Sequence, residues 1–521
     1  MTKATRDRAR TLHIWTLASA VAGCGGASAS PATGEDAHAQ IVVDAARDDR
    51  GDAGSVVSPR DAGGSKRDAV SPLDVAIVTD SAIPFDAARA IEAAVGNRDT
   101  GTSTPDAAIP TDPSGVAAAR TSQLLDGIGI NTHIDFPGYQ TIGATAIETA
   151  IEYAGNGMLK ILRDSPASDS DLTAWPLIAK ATGVKFDAFI GEGAPSVYQD
   201  ALTRMQAMVA SGGDYLMGFE GGNEEDDSYP VSLGNSQQQA AAFQPMVWAA
   251  GQKAGLDVFQ ISFGAGWSSP TGDYGTVGNL SASASYGNAH TYPQTNPLGA
   301  LKSLVADALL TTPGKPVAHS EWGWNSFSSG SNGGYGWCSE ATCAAYDAMF
   351  IFDAFNAGNP YYFRYELFDD DQLESANSWG MFYDTGTPKK SATAMRVMFQ
   401  LLGDPGAAAA TFTPGKLEFT VTGLPAASGS TGGQKALFQK SDGSFWLALW
   451  NEQVLNNTAS GNADVAVAAV PVTLSLTTAA TTVTVYDVLA ESTTPVASMS
   501  NVTTMTVSVP AHPVLVKIVR P

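Results

Sequence analysis

Gly218-Phe-Glu-Gly-Gly-Asn-Glu-Glu-Asp226 and Lys315-Pro-Val-Ala-His-Ser-Glu-Trp-Gly-Trp324 decide how this chain is read. Each is a short extended stretch that ends on an acid: Glu224 after Asn223, and Glu321 before Trp322-Gly323. Between them, apolar strand-like runs alternate with amphipathic helical runs, and the alternation continues outward on both sides. Strands are expected at 127–131, 159–163, 184–190, 215–220, 258–263, 288–292, 316–321 and 361–368. Helical periodicity falls between most of them, at 146–154, 197–210, 237–254, 298–310 and 341–356. Such strand–helix repeats over 121–403 predict a (β/α)8 barrel, typically about 250 residues long. A doubly wound sheet is the rival, but no G-x-G-x-x-G follows the first strand.

Beyond Gly403 the helical period disappears. Phe419-Thr-Val-Thr, Phe445-Trp-Leu-Ala-Leu-Trp450, Thr482-Val-Thr-Val-Tyr486, Met505-Thr-Val-Ser-Val509 and Val514-Leu-Val-Lys-Ile518 read as strands, so 404–521 is expected to form an antiparallel β-sandwich. Asn451-Glu452 repeats the Asn-Glu pair outside the barrel and reads as a turn. On the N-terminal side, 24–120 is rich in Ala, Asp, Gly, Ser and Pro, with Asp-Ala recurring from Asp36 to Asp106 and Phe85 as its aromatic residue. Too little apolar surface is available there to offset ordering entropy, so a disordered linker is expected. Residues 1–23 have the layout of an export signal: Lys3, Arg6, Arg8 and Arg10, then a moderately apolar stretch, then Val21-Ala-Gly-Cys24. That ending resembles a bacterial lipobox, which would make Cys24 the lipidated first residue of the mature protein. An exported protein of the bacterial cell envelope, or otherwise a secreted one, is therefore expected, touching a membrane through the lipid alone. Export also makes a Cys338–Cys343 disulfide plausible.

The chain has 521 residues and a formal net charge of -23. That balance argues against a nucleic-acid partner, which calls for a basic face. An acidic surface with Trp and Tyr suits a neutral polymer such as a polysaccharide. Nothing in the sequence calls for a cofactor, and a monomer is expected. His133, His290 and His319 contain no tight His-x-His or His-x3-His pair, so no metal site is assigned.

In a (β/α)8 barrel the reactive groups sit at the C-terminal ends of strands. Glu224 would end strand four and Glu321 strand seven. Two carboxyls so placed are what glycosidic bond cleavage requires: one protonates the leaving oxygen, the other attacks the anomeric carbon or activates water. With Asn223-Glu224 and Ser320-Glu321-Trp322-Gly323, the chain resembles the clan A glycoside hydrolases, loosely the barrel-plus-sandwich families 39, 30, 51 and 79. The resemblance implies a retaining enzyme with Glu224 as acid/base and Glu321 as nucleophile. A carbohydrate-binding lipoprotein without turnover, or a transglycosylase, are the alternatives; both glutamates being present argues against the first.

Further residues follow from those roles. Asn223 can donate to a sugar hydroxyl next to the reacting carbon. Glu224 must hold a proton, which a poorly solvated wall favours, and Glu321 must be ionised, which nearby donors favour. Arg163 and Tyr292 are suitable donors, and the resemblance puts similar residues there; for Arg163 an ion pair with Asp164 or Asp187 is the competing reading. His290, in Gly-Asn-Ala-His-Thr-Tyr-Pro, is expected in the pocket, and His133 as a possible sugar contact. His319 lies two before Glu321, on the same side if the strand alternates regularly, and is expected to be packed. Glu220 is expected inward and hydrogen-bonded. Glu225, Asp226 and Asp227 are expected in a solvated loop, with calcium binding as a minor alternative. Trp267, Trp322, Trp324, Trp337 and Trp379 are candidate platforms for sugar rings. Many clan members end strand eight on a tryptophan. Here Tyr365-Glu366 stands there, so Tyr365 or Trp379 would replace that ring.

Overall fold

The computed structural model describes residues 115–191, 195–225, 236–264, 274–275, 277–326, 338–369, 378–458 and 463–521. Eight parallel strands form the N-terminal part: β1 (Ile128–Asn131), β2 (Ile161–Asp164), β3 (Lys185–Ile190), β4 (Leu216–Gly222), β5 (Asp257–Phe259), β6 (Gly287–Thr291), β7 (Val317–Trp322) and β8 (Tyr362–Arg364). Their order in the sheet is β5-β4-β3-β2-β1-β8-β7-β6. A Phe259–Tyr286 bridge and the Ser285 N–H donating to the Val258 carbonyl draw β5 towards β6, so the barrel is nearly closed. The helices are α1 (Ala144–Gly155), α2 (Asp171–Thr182), α3 (Pro195–Ala210), α4 (Ser236–Ala254), α5 (Pro297–Thr311), α6 (Glu340–Asn356) and α7 (Lys390–Leu402). Between β5 and β6 the described residues include helical residues at 274, 275 and 277 and a short 3-10 turn, Ser281–Ser283. The (β/α)8 expectation is met.

Inward-facing residues separate into two layers, because every second residue of a strand faces the same way. The lower layer is apolar: Ile161, Phe259, Ala318 and Phe363 form a small buried cluster of their own. Gly129 makes room for it, since a Cβ there would lie 2.3 Å from the Phe363 ring. Two residues further along the strands, Asn131, Arg163, Glu220 and Ser320 form a polar layer that is also buried. The barrel is thus apolar below and polar above.

Two strands break the alternation just before a key acid. On β4, Phe189 of β3 pairs with Glu220 but Ile190 pairs with Gly222, so Gly221 is an extra residue. On β7, Tyr362 pairs with His319 and Arg364 with Trp322, again one residue too many; β6 records the same shift. A bulge of this kind re-aims side chains. It brings Glu321 into the barrel beside Ser320 and leaves His319 and Trp322 against Phe350 of α6. His319 is packed as expected, but it is not on the same side as Glu321.

The C-terminal part is one connected sheet, antiparallel but for one edge pairing, in the order β9-β12-β14-β11-β10, with β13 paired to β12. Its strands are β9 (Phe419–Thr422), β10 (Gly432–Gln439), β11 (Phe445–Glu452), β12 (Val470–Asp487), β13 (Ala497–Val509) and β14 (Val514–Val519). Along β12 the partner changes at an irregularity between Ser475 and Ala480: Thr473–Leu476 face β9, and Thr482–Asp487 face β14. In β11 the alternation is strict. Phe445, Leu447 and Leu449 enter the core of the sheet, while Trp446, Ala448 and Trp450 join the core shared with the barrel. That double coverage explains why β11 reads as a continuous apolar run. Asn451-Glu452 is the end of this strand, not a turn, and Glu452 is fully buried.

Folded structure begins earlier than 121. Val116–Ala117 pairs with Lys416–Leu417, and Ala119–Arg120 pairs with Phe438–Gln439 of β10. The α6 helix is the dock between the parts. Tyr346 accepts from the Leu455 N–H and donates to Asn456 Oδ1, and Thr342 donates to Asp464. The Cys338–Cys343 disulfide forms at the start of α6, with the two Cα atoms 5.5 Å apart.

Candidate active site

Arg163, fully buried at the end of β2, organises the polar layer. Its guanidinium uses all five N–H groups. Nε and Nη2 donate to Glu220 at 2.9 and 2.7 Å, Nη1 donates to Asn131 Oδ1 at 2.9 Å and Glu321 Oε1 at 2.7 Å, and Nη2 also donates to Asn223 Oδ1 at 2.7 Å. The cation lies 3.9 Å above the Phe189 ring. Burial works against its charge, but Glu220 and Glu321 outweigh burial and raise its pKa. Arg163 therefore pairs with neither Asp164 nor Asp187 as its main partner. Asp164 instead accepts from Thr132 and the Ile134 N–H.

Glu321 takes its second hydrogen bond from the Tyr292 hydroxyl on Oε2. Burial raises its pKa, opposed by charge and by donors around it. His290 is itself neutral at ordinary pH, pushed down to about 4 chiefly by burial. The permanent charge of Arg163 is therefore a counterweight to burial that favours the ionised form of Glu321. Glu224 lies beyond the β4 bulge, in a left-handed conformation with φ of 44°. That is a strained placement for a residue with a side chain. The turn needs the two glycines before it: a Cβ on Gly221 would lie 2.2 Å from Gln244 Oε1, and one on Gly222 would lie 2.3 Å from Glu225 Oε1. The Glu224 N–H donates to Ser262 Oγ, and its Oε1 lies 2.8 Å from His290 Nδ1. The same nitrogen is 3.4 Å from Glu321 Oε2. An oxygen of Glu224, an oxygen of Glu321 and a nitrogen of His290 all lie within 4.8 Å of one another. That spacing would fit a cation, but both Glu321 oxygens already receive donors and Arg163 supplies the positive charge beside them.

The side chain of Glu224 is 20% exposed and that of Glu321 7%. Solvent therefore reaches Glu224 more readily. Above Glu321, Tyr292, Tyr365 and Trp379 are partly exposed. The Tyr292 ring lies edge-on to Trp379 at 5.2 Å and to Tyr365 at 6.0 Å. Asn223 commits its Oδ1 to Arg163, which leaves the amide nitrogen as its donor group.

No family model matches the chain, and no curated protein does either. Solved structures do. A family 39 glycoside hydrolase from the gut symbiont Bacteroides cellulosilyticus WH2 aligns over 77% of this chain and 82% of its own, at 13% identity and a TM-score of 0.50. A glucosidase from Croceicoccus marinus aligns over 78% of this chain and 98% of its own, at 11% identity and the same TM-score. The chain has the clan A glycoside hydrolase fold. Identities this low carry the fold alone.

Within that clan A frame, Asn223, Glu224, Arg163, His290, Tyr292 and Glu321 come together at one end of the barrel, with Trp379 at its edge. His290 is wholly buried beneath the acids and does not face solvent. His133 is packed too, stacked on Phe136 at 4.4 Å and edge-on to Tyr365 at 5.4 Å; burial and then Arg163 push it down to about 3. Trp322 and Trp324 are corrections. Both are fully buried, Trp322 stacked on Phe350 and Trp324 against Tyr346, so neither offers a face to a sugar. The β7 bulge turned Trp322 towards the helices. Glu225 is buried rather than solvated. Trp267, Trp337, Asp226, Asp227 and Cys24 lie outside the described residues. Sequence reasoning missed Asn131 and Ser320. Asn131 ends β1 where an inward polar residue could have been read; Ser320 was hidden because alternation counted back from an inward Glu321 points it outward.

Proposed function

We propose that the protein is a retaining glycoside hydrolase that cleaves an extracellular poly- or oligosaccharide by double displacement. The observation carrying this reading is that Glu224 and Glu321 meet at one histidine nitrogen, with oxygens within 4.8 Å, yet have unlike partners. Retaining enzymes hold their carboxyls about 5–5.5 Å apart, inverting ones about 6.5–9.5 Å. In the first step the proton on Glu224 passes to the glycosidic oxygen as the bond from that oxygen to the anomeric carbon breaks. The electron pair of that bond goes to the leaving oxygen, and Glu321 bonds the anomeric carbon from the opposite face. In the second step Glu224, now a carboxylate, takes a proton from water as the water oxygen displaces Glu321. The Asn223 amide would hold the hydroxyl beside the reacting carbon, a contact that strengthens as positive charge develops there. Tyr365 and Trp379 supply the aromatic surface that a strand-eight tryptophan gives other clan members.

Azide separates the two roles. Glu321→Ala should abolish turnover of natural and aryl substrates alike. Glu224→Ala should still form the glycosyl-enzyme from a substrate with a good leaving group, then stall. With azide and a β-glycoside, Glu224→Ala should release the β-glycosyl azide, and Glu321→Ala the α-anomer. Near-wild-type activity in both variants would end the proposal; exchanged anomers would reverse the roles.

Export and a lipid on Cys24 would place the enzyme at the cell envelope with its substrate outside. Cys24→Ala should release it from the membrane fraction with its specific activity unchanged, as measured by fractionation and assay of both pools.

A further inference from the structure

We propose that Ser320 is a positioning residue that fixes the tautomer of His290, and that His290 in turn keeps the acid's proton on Glu224. This rests on the catalytic reading above. The argument is a count of hydrogens along one row. Glu220 receives Nε–H and Nη2–H of Arg163 side by side, so its carboxylate only accepts. Ser320 Oγ lies 3.1 Å from Glu220 Oε1 and must donate to it. A hydroxyl has one hydrogen, so towards His290 Nε2, 2.9 Å away, Ser320 accepts. Nε2 therefore carries the imidazole proton.

His290 is uncharged, being buried with Arg163 nearby, although Glu321 and Glu220 pull the other way. Its Nδ1 is then a bare lone pair, 2.8 Å from Glu224 Oε1 and 3.4 Å from Glu321 Oε2. An ionised carboxylate does not rest at hydrogen-bond distance from a lone pair, so Glu224 brings the proton. Glu321 has Arg163 and Tyr292 to stabilise its charge. The remaining titratable neighbour, His319, is also neutral, held at about 4 by burial.

The contact works in both halves of the reaction. Before cleavage it holds the proton on Glu224. After cleavage the Glu224 carboxylate faces the same lone pair, which makes it a better base towards water. The β7 bulge sets Glu321 beside Ser320, so that both reach inward.

The test uses the full chain. Nitrogen-15 histidine spectra of the wild type, with the His290 signal assigned by its loss in His290→Asn, should show Nε2 protonated and Nδ1 bare near pH 7. In Ser320→Ala, Nε2 loses its acceptor, and the proton should move to Nδ1 and be donated to a Glu224 carboxylate. The alkaline limb of the kcat/KM profile should then fall by about one pH unit, roughly a tenfold loss above it, with activity on the acid side retained. Ser320→Thr, which keeps the hydroxyl, should retain the wild-type limb. A wild-type signal with Nδ1 protonated overturns the proposal whatever the variants do. A tautomer change without a shifted limb also overturns it. In that case, azide rescue of Glu224→Ala tells whether the relay alone fails or the catalytic reading beneath it.

Discussion

Two pairs of neighbouring carboxyls in the described residues behave differently. Glu224 and Glu321 meet at the barrel mouth; Asp353 of α6 and Glu452 of β11 meet where the barrel docks on the C-terminal sheet. The mouth pair has a guanidinium, a phenol and an imidazole, shared unequally. Among the described residues no cation comes within hydrogen-bond reach of the dock pair, and Lys302 acts on Asp353 only from a distance. Glu452 Oε1 accepts from Asn296 at 3.1 Å and the Leu298 N–H at 3.4 Å, while Oε2 and the Asp353 oxygens take no well-formed hydrogen bond and have only Trp450 and each other close by. Burial and the neighbouring Glu452 push Asp353 well above the usual carboxylate range, and burial raises Glu452 to about 7. One proton held between them satisfies both. Proximity makes a shared proton; unlike surroundings make an acid and a nucleophile.

The same change, Glu to Gln, should break the symmetry of that comparison. At the mouth, Glu321→Gln should lower kcat by roughly 10^5-fold or more, because the nucleophile is gone while the shape remains. A loss under tenfold would mean the mouth pair is as structural as the dock pair. Next in size is Arg163→Met. It leaves Glu220 and Glu321 without their counter-charge in a buried site, so unfolding free energy should fall by about 3–5 kcal/mol, read by denaturant titration. The smallest effect has the opposite sign. Glu452 has a folded pKa above its ordinary 4.5. The folded state therefore binds more protons than the unfolded state, and this group's contribution to stability falls as pH rises from about 4.5 to about 7. Glu452→Gln can still accept from Asn296 and can donate to Asp353. It should stabilise the protein by about 2 kcal/mol at pH 8, flatten that slope, and leave kcat unchanged. A loss of stability at pH 8 would show that the dock pair is not short of donors.

How much was legible divides along the bulges. Strands and most helices were readable because the barrel is built from regular repeats whose periods differ. Helix α2 was less readable: Pro176 sits in its interior and speaks against helix, while Trp175 stacked on Phe186 at 4.5 Å holds it in place. Glu224 and Glu321 were legible as strand-end acids. The facing of Ser320, His319 and Trp322 was not, since one inserted residue reverses every alternation after it. Glu452 was misread because Asn-Glu looks polar and turn-like, and only its strand-end position against α5 and α6 buries it. Val116–Arg120 showed no strand signal of its own; its partners lie about three hundred residues away in β10 and beside β9.

Those few residues at the front of the folded region have a consequence for how the molecule can be cut and assembled. Ala119–Arg120 belongs to the C-terminal sheet and Val116–Ala117 to a two-stranded ladder apart from it, so the polypeptide leaves the C-terminal part, builds the whole barrel, and returns. Such long-range closure is slow, and these pairings form only after Lys416–Leu417 and β10 have been made. A fragment of 121–403 would uncover Phe352 and Phe355 of α6, which pack on Phe438 and, for Phe352, on Trp450. The two parts are therefore not interchangeable modules. Swapping in another sheet would have to reproduce an aromatic seam and accept a strand from the far end of the chain.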